Sequence, residues 1–174
     1  AGNDTVATYA LNNQGGNLAP VRTIRGIHDS ELDGPSGVAL RIDPNPGGSP
    51  QLSGDEIWVT NRGSDKVTAY SRIDDLDVTP LYRICGAQTQ LHSPCGIALS
   101  SYNGNERVFV ANDKIPGGSD LDRITIYNRS NVLSAGQGSD PTSGEVAPAY
   151  VIQGDQTGLS TPCGIAVDDT TGDI

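Results

Sequence analysis

The 174-residue chain contains no Met, one Trp, one Phe, two His and three Cys. Lys66 and Lys114 are its two lysines, and acidic residues outnumber basic ones 21 to 11. Each scarcity excludes something. Binding a nucleic-acid backbone needs clustered Lys and Arg, and a net charge of −10 argues against that partner. No apolar run reaches 18 residues, so no segment reads as a membrane-spanning helix. The cysteines do not form Cys-x-x-Cys-His, which removes covalent haem, nor pairs at two-residue spacing, which removes the common zinc patterns. His28 and His92 stand seven and two residues before a Pro, in non-equivalent places. They read as solvated loop residues and not as a catalytic dyad or a zinc site. A lack of thioether side chains suits an oxidising milieu. The start Ala1-Gly2-Asn3-Asp4 has no basic or apolar leader, as in a processed, exported protein or at a fragment boundary.

What the chain does have is punctuation and repetition. Its 22 Gly and 11 Pro are spread throughout, which points to many short strands and turns rather than long helices. Three runs match: Pro35 to Leu40, Pro94 to Leu99 and Pro162 to Val167. Their glycines, Gly37, Gly96 and Gly164, are 59 and 68 residues apart. Three further families recur in fixed order. One is Glu56-Ile57-Trp58-Val59-Thr60-Asn61 and Arg107-Val108-Phe109-Val110-Ala111-Asn112. Another is Thr5 to Tyr9, Lys66 to Tyr70 and Arg123 to Tyr127. The last is Pro20 to Gly26, Pro80 to Gly86 and Pro148 to Gly154. In order these are runs A (Gly-Ile-Ala-Val type), B (aromatic-Val-x-Asn), C (Ile-Thr-x-Tyr) and D (Pro-x-x-x-Ile-x-Gly). Runs C and D alternate apolar and polar residues, as half-buried strands do. Run A is small and apolar throughout, as a strand covered on both faces is.

Four short strands per repeat is the composition of a β-propeller blade, with the small-residue strand innermost. The motif order, above all Ile152-Gln153-Gly154-Asp155-Gln156-Thr157-Gly158-Leu159-Ser160-Thr161-Pro162-Cys163-Gly164-Ile165-Ala166-Val167-Asp168, resembles the NHL-repeat β-propellers, particularly long-repeat secreted bacterial forms. The similarity covers the chain apart from its loops. The resemblance implies an all-β fold of four-stranded antiparallel blades and leaves the activity open, since propellers host many functions. Some related propellers are lactonases or lyases with a channel-bound metal held by His or carboxylates; no matching His pattern is present.

The repeats divide the chain at about 1–34 (C and D), 35–93, 94–161 and 162–174 (A). That is about three blades, and propellers close with four to eight. Ile174 stands where Ile57 stands, so about four residues separate it from register with the start. Three architectures are compatible: a piece of a longer propeller, a half-ring that pairs with a copy, and an open arc that polymerises through unpaired blade edges.

Candidate sites are few. No catalytic or cofactor-binding set emerges. Cys95 and Cys163 open equivalent A runs and are disulfide candidates, whereas a Cys85–Cys95 bridge would have to span a blade. Free thiols and an intermolecular bond remain alternatives. The turn Asp168-Asp169-Thr170-Thr171-Gly172-Asp173 reads first as ordinary turn chemistry, with Gly172 at positive φ; the alternative is that Asp168, Asp169 and Asp173 offer weak ligands to Ca2+. Asp74-Asp75-Leu76-Asp77 has the same two readings. Asn3 and Asn128 head glycosylation sequons, and Asn128 should be exposed after its strand. The expected function is a non-catalytic extracellular structural or interaction module, self-associating or binding another extracellular protein. The alternatives are a metal-dependent lactonase- or lyase-like enzyme and a glycan- or peptide-binding propeller.

Overall fold

The computed structural model describes residues 4–10, 16–26, 28–43, 54–113, 122–135 and 144–174. It is mostly β, with three antiparallel sheets of four, four and two strands and no closed barrel. The two-stranded sheet pairs β1 (Thr5–Thr8) with β2 (Arg22–Arg25). The first four-stranded sheet runs β3 (Pro35–Arg41), β4 (Glu56–Asn61), β5 (Lys66–Ser71), β6 (Tyr82–Ile84). The second repeats this order with β7 (Pro94–Ser100), β8 (Arg107–Asn112), β9 (Arg123–Asn128), β10 (Tyr150–Gln153). The correspondence extends to register. Ala39 pairs with Trp58 as Ala98 pairs with Phe109, and both first strands carry an irregularity at the residue before Gly37 or Gly96.

Strands β4 and β8 are buried almost throughout. The main core joins Trp58, Val67, Tyr82 and Ile84 of the first sheet to Ile97, Val108, Val110 and Tyr127 of the second. A second cluster ties Ile24 and Leu32 to Ile57, Val59 and Tyr70, linking β2 to the first large sheet. Leu76 adds a parallel bridge to Ile24. The first strands of the two large sheets, β3 and β7, lie against each other. A β-carbon added at Gly37 would stand 2.4 Å from the Cys95 carbonyl oxygen, so only glycine permits this approach.

Three expectations need correction. Run C does not alternate in the large sheets: β5 and β9 are buried at their four central positions. Their polar members, Thr68 and Thr125, enter the core because each hydroxyl accepts an amide N–H, from Asn61 (2.9 Å) and Asn112 (3.0 Å). Run A is covered on both faces only in β7. In β3 the outward row is bare, with Val38 and Leu40 59% and 58% exposed, because no sheet lies against it among the described residues. The third A run, 162–167, forms no strand, since no ladder partner lies beside it among the described residues.

The expected C–D loop of the second large sheet begins as a helix, α1 (Arg129–Ala135), whose Val132 is buried in the main core. Most of the three long loops expected at 43–55, 112–122 and 131–147 falls outside the described residues.

Candidate functional site

The sequence-selected residues occupy three kinds of place. Cys95 and Cys163 form a disulfide with Cα atoms 4.8 Å apart, inside the usual span. It fastens run 162–167 to β7, while Cys85 is buried and outside any disulfide. Burial also raises the Cys85 pKa above that of an ordinary thiol. The run packs Ile165 and Val167 on Ala98, Phe109, Ile124 and Ile126. Reducing the bridge removes about 2–4 kcal/mol of constraint. The expected result is a rise in amide exchange over 162–169 with β8 unchanged, read by mass spectrometry; equal protection with and without reductant would contradict this anchoring role.

The acidic turn is occupied with its own closure. Asp168 Oδ1 accepts the Thr170 N–H at 2.7 Å and Asp173 Oδ2 accepts the Thr171 hydroxyl at 2.9 Å. Hydrogen bonds from Thr170 hold the Asp168 carboxyl below its ordinary pKa. Asp169 reaches across to accept from the Ser100 hydroxyl and the Ser101 N–H. Gly172 closes the bend at φ +81°. In the second acidic cluster Asp77 accepts three backbone N–H groups, from His28, Asp29 and Ser30. Asp75 takes the N–H of Thr23, and Asp74 that of Ser71. Among the described residues no three His, Cys, Asp or Glu side chains gather closely enough to hold a metal.

His28 is exposed. His92 sits in another connection, its backbone N–H donating to Asn112 and its ring 4.0 Å from Asp65. Asn128 is the last residue of β9, not a loop residue. It pairs with Arg107 and is half-buried rather than exposed, because the strand runs one residue beyond Tyr127. Asn3 lies outside the described residues.

One charged cluster has no counterpart in the sequence expectations. Arg129, 4% exposed, grips both oxygens of buried Glu56 and donates to Glu106 at 2.9 Å. Arg41 donates twice to the other Glu106 oxygen. Trp58 Nε1–H donates to Glu56 at 2.7 Å. Arg41, Glu106 and Arg129 border a hollow of about 230 Å3 between the ends of β3 and β7. Partial burial raises the Glu106 pKa, but Arg41 and Arg129 outweigh it and hold the carboxyl below its ordinary value. The one signal for this cluster in the sequence is a carboxylate opening an otherwise apolar run at Glu56.

The remaining feature is a pair of open edges. Among the described residues strand β1 pairs on one side only, with β2. Tyr9, just after it, is 57% exposed, while its counterparts Tyr70 and Tyr127 are fully buried. On the opposite side, run 162–167 has β7 behind it, and a β-carbon added at Gly164 would meet nothing within 4 Å among the described residues. Val38 and Leu40 add the bare apolar row of β3.

No family model, curated protein or solved structure matches this chain. The open edges and the buried ion cluster therefore stand on their own geometry.

Proposed function

We propose that this protein is a non-catalytic extracellular structural or interaction module. It is built of propeller-type blades of the NHL-repeat kind, and its copies associate through open blade edges. One observation carries this reading: among the described residues β1 has a strand on one side only and β3 leaves the apolar row of Val38 and Leu40 bare. An unpaired edge is a template for strand addition.

Two observations support the blade and the location. The large sheets repeat one strand order, and their first strands stack by close glycine contact, as strands crowded about an axis must. The Cys95–Cys163 bridge suits an oxidising, extracellular setting. Negative-stain images of the 174-residue chain are expected to show rings or filaments. A field of single compact particles, each the size of one chain, would contradict the proposal.

A further inference from the structure

We infer that the closing half of each C–D connection is a strap: it locks the outermost strand of the preceding sheet, and the opening of the second strap admits reagents to Cys85. The inference goes beyond the self-association reading and does not depend on it.

Two straps are present among the described residues. Residues 75–78 lead towards β6, and residues 144–146 lead towards β10. Counted back from Pro80 and Pro148, the prolines that open the two D runs, Leu76 corresponds to Gly144, Asp77 to Glu145 and Val78 to Val146. Each strap turns back to the D strand of the sheet before its own. The Leu76 carbonyl accepts the Arg25 N–H at 3.0 Å, and the Gly144 carbonyl accepts the Cys85 N–H at 3.0 Å. Arg25 and Cys85 are themselves counterparts, each directly before the glycine that ends its D run. The carboxylates agree too. Asp77 accepts the N–H groups of His28, Asp29 and Ser30, and Glu145 accepts the Gln88 N–H at 3.1 Å. His28 and Gln88 both stand two residues after that glycine. Val78 packs on the second core cluster and Val146 is buried in the main core.

Both straps share an unusual backbone. Leu76 has φ +66° and Gly144 has φ +112°, a region that side chains rarely adopt. The same turn at the same place in both connections points to a role for it. At Gly144 a β-carbon would stand 2.8 Å from both the Arg83 β-carbon and its carbonyl oxygen, so only glycine lets the strap approach. Leu76 is 55% exposed, and its side chain has room.

The straps close edges that would otherwise invite strand addition. On β2, Thr23 gives its N–H to Asp75 at 2.7 Å and its carbonyl accepts the Leu76 N–H at 2.8 Å. On β6, the second strap shares the edge with α1. The hold is light beside that of the buried strands: a few hydrogen bonds and one valine each, with Glu145 exposed. An element held this way opens at a fraction of the cost of unfolding the sheets. Cys85, the cysteine outside the disulfide, is buried at this contact.

Thiol labelling tests the strap. Without reductant Cys95 and Cys163 stay bonded, so a maleimide reads Cys85 alone. Gly144→Ala and Glu145→Ala are each expected to speed Cys85 labelling about tenfold. Both should raise amide exchange over 83–89 while β8 keeps its protection. Asp77→Ala, in the other strap, is expected to raise exchange over 25–30 and to leave Cys85 labelling at the parent rate. The exposed Glu145 can be replaced without threat to the core, so Glu145→Ala decides alone if Gly144→Ala does not fold. Parent rates of labelling and exchange in Glu145→Ala would overturn the strap. Equally fast labelling in Asp77→Ala would show that Cys85 is reached through some other opening.

Discussion

Replacing Trp58 by Ala is expected to destabilise the fold by about 3–5 kcal/mol, a large share of the roughly 5–15 kcal/mol available to a domain. Trp58 is fully buried in β4 at the centre of the main core. Its ring stacks on Tyr82 at 6.3 Å with planes 16° apart, and its indole N–H satisfies Glu56. Truncation leaves a cavity too well walled to collapse and strips a buried carboxylate of a donor. Trp58→Phe keeps most of the packing and loses the donor, so its cost should be smaller, about 1–3 kcal/mol. Urea denaturation followed by circular dichroism measures both. An Ala variant within 1 kcal/mol of the parent would mean that the two large sheets are not held together through this residue.

Removing Arg129 should cost a similar amount. The guanidinium is buried and serves Glu56 by two hydrogen bonds and Glu106 by one. Arg129→Met keeps much of the volume and abandons a buried carboxylate, which costs about 3–5 kcal/mol. Adding Glu56→Gln should recover part of this loss, because it removes the uncompensated charge. The pair also leaves a pH signature. Glu106 has a folded pKa depressed below its ordinary value of 4.5. Its contribution is therefore present above that value and is lost as pH falls through the depressed one. In Arg129→Met this acid-side loss should be shallower than in the parent. Equal acid slopes in the two proteins would show that Arg129 does not hold Glu106 in its charged form.

The parts of the fold visible in the sequence are those set by local pattern. Glu56–Asn61 and Arg107–Asn112 coincide with β4 and β8 residue for residue. An aromatic and β-branched run closed by Asn has no helical reading, and the Asn amide then bonds the Thr of the next strand. Lys66–Tyr70 and Arg123–Tyr127 each fall one residue short of β5 and β9. Burial within run C was not visible, since a Thr looks solvent-facing until its hydroxyl finds an amide. Helix α1 was hidden because it is two turns long and shows a single buried apolar residue, Val132. The ion cluster was hidden for another reason: Arg41 and Arg129 meet partners 65 and 73 residues away, a distance no local pattern spans. The acidic turns were visible as turns. That their carboxylates are spent on backbone and hydroxyl donors follows only from the geometry of Asp77, Asp168 and Asp169.

Repetition makes the open edges intelligible. Tyr9, Val38 and Gly164 would be unremarked surface residues in a chain without internal copies. Beside Tyr70 and Tyr127, Ile97, and Gly37 and Gly96, they are the members of each series left uncovered. The most direct measurement is the mass of the 174-residue chain in solution by light scattering across a range of concentrations. Association through blade edges predicts masses at multiples of 18.1 kDa that grow with concentration or settle at a closed ring. A monodisperse 18.1 kDa species at every concentration would contradict the account.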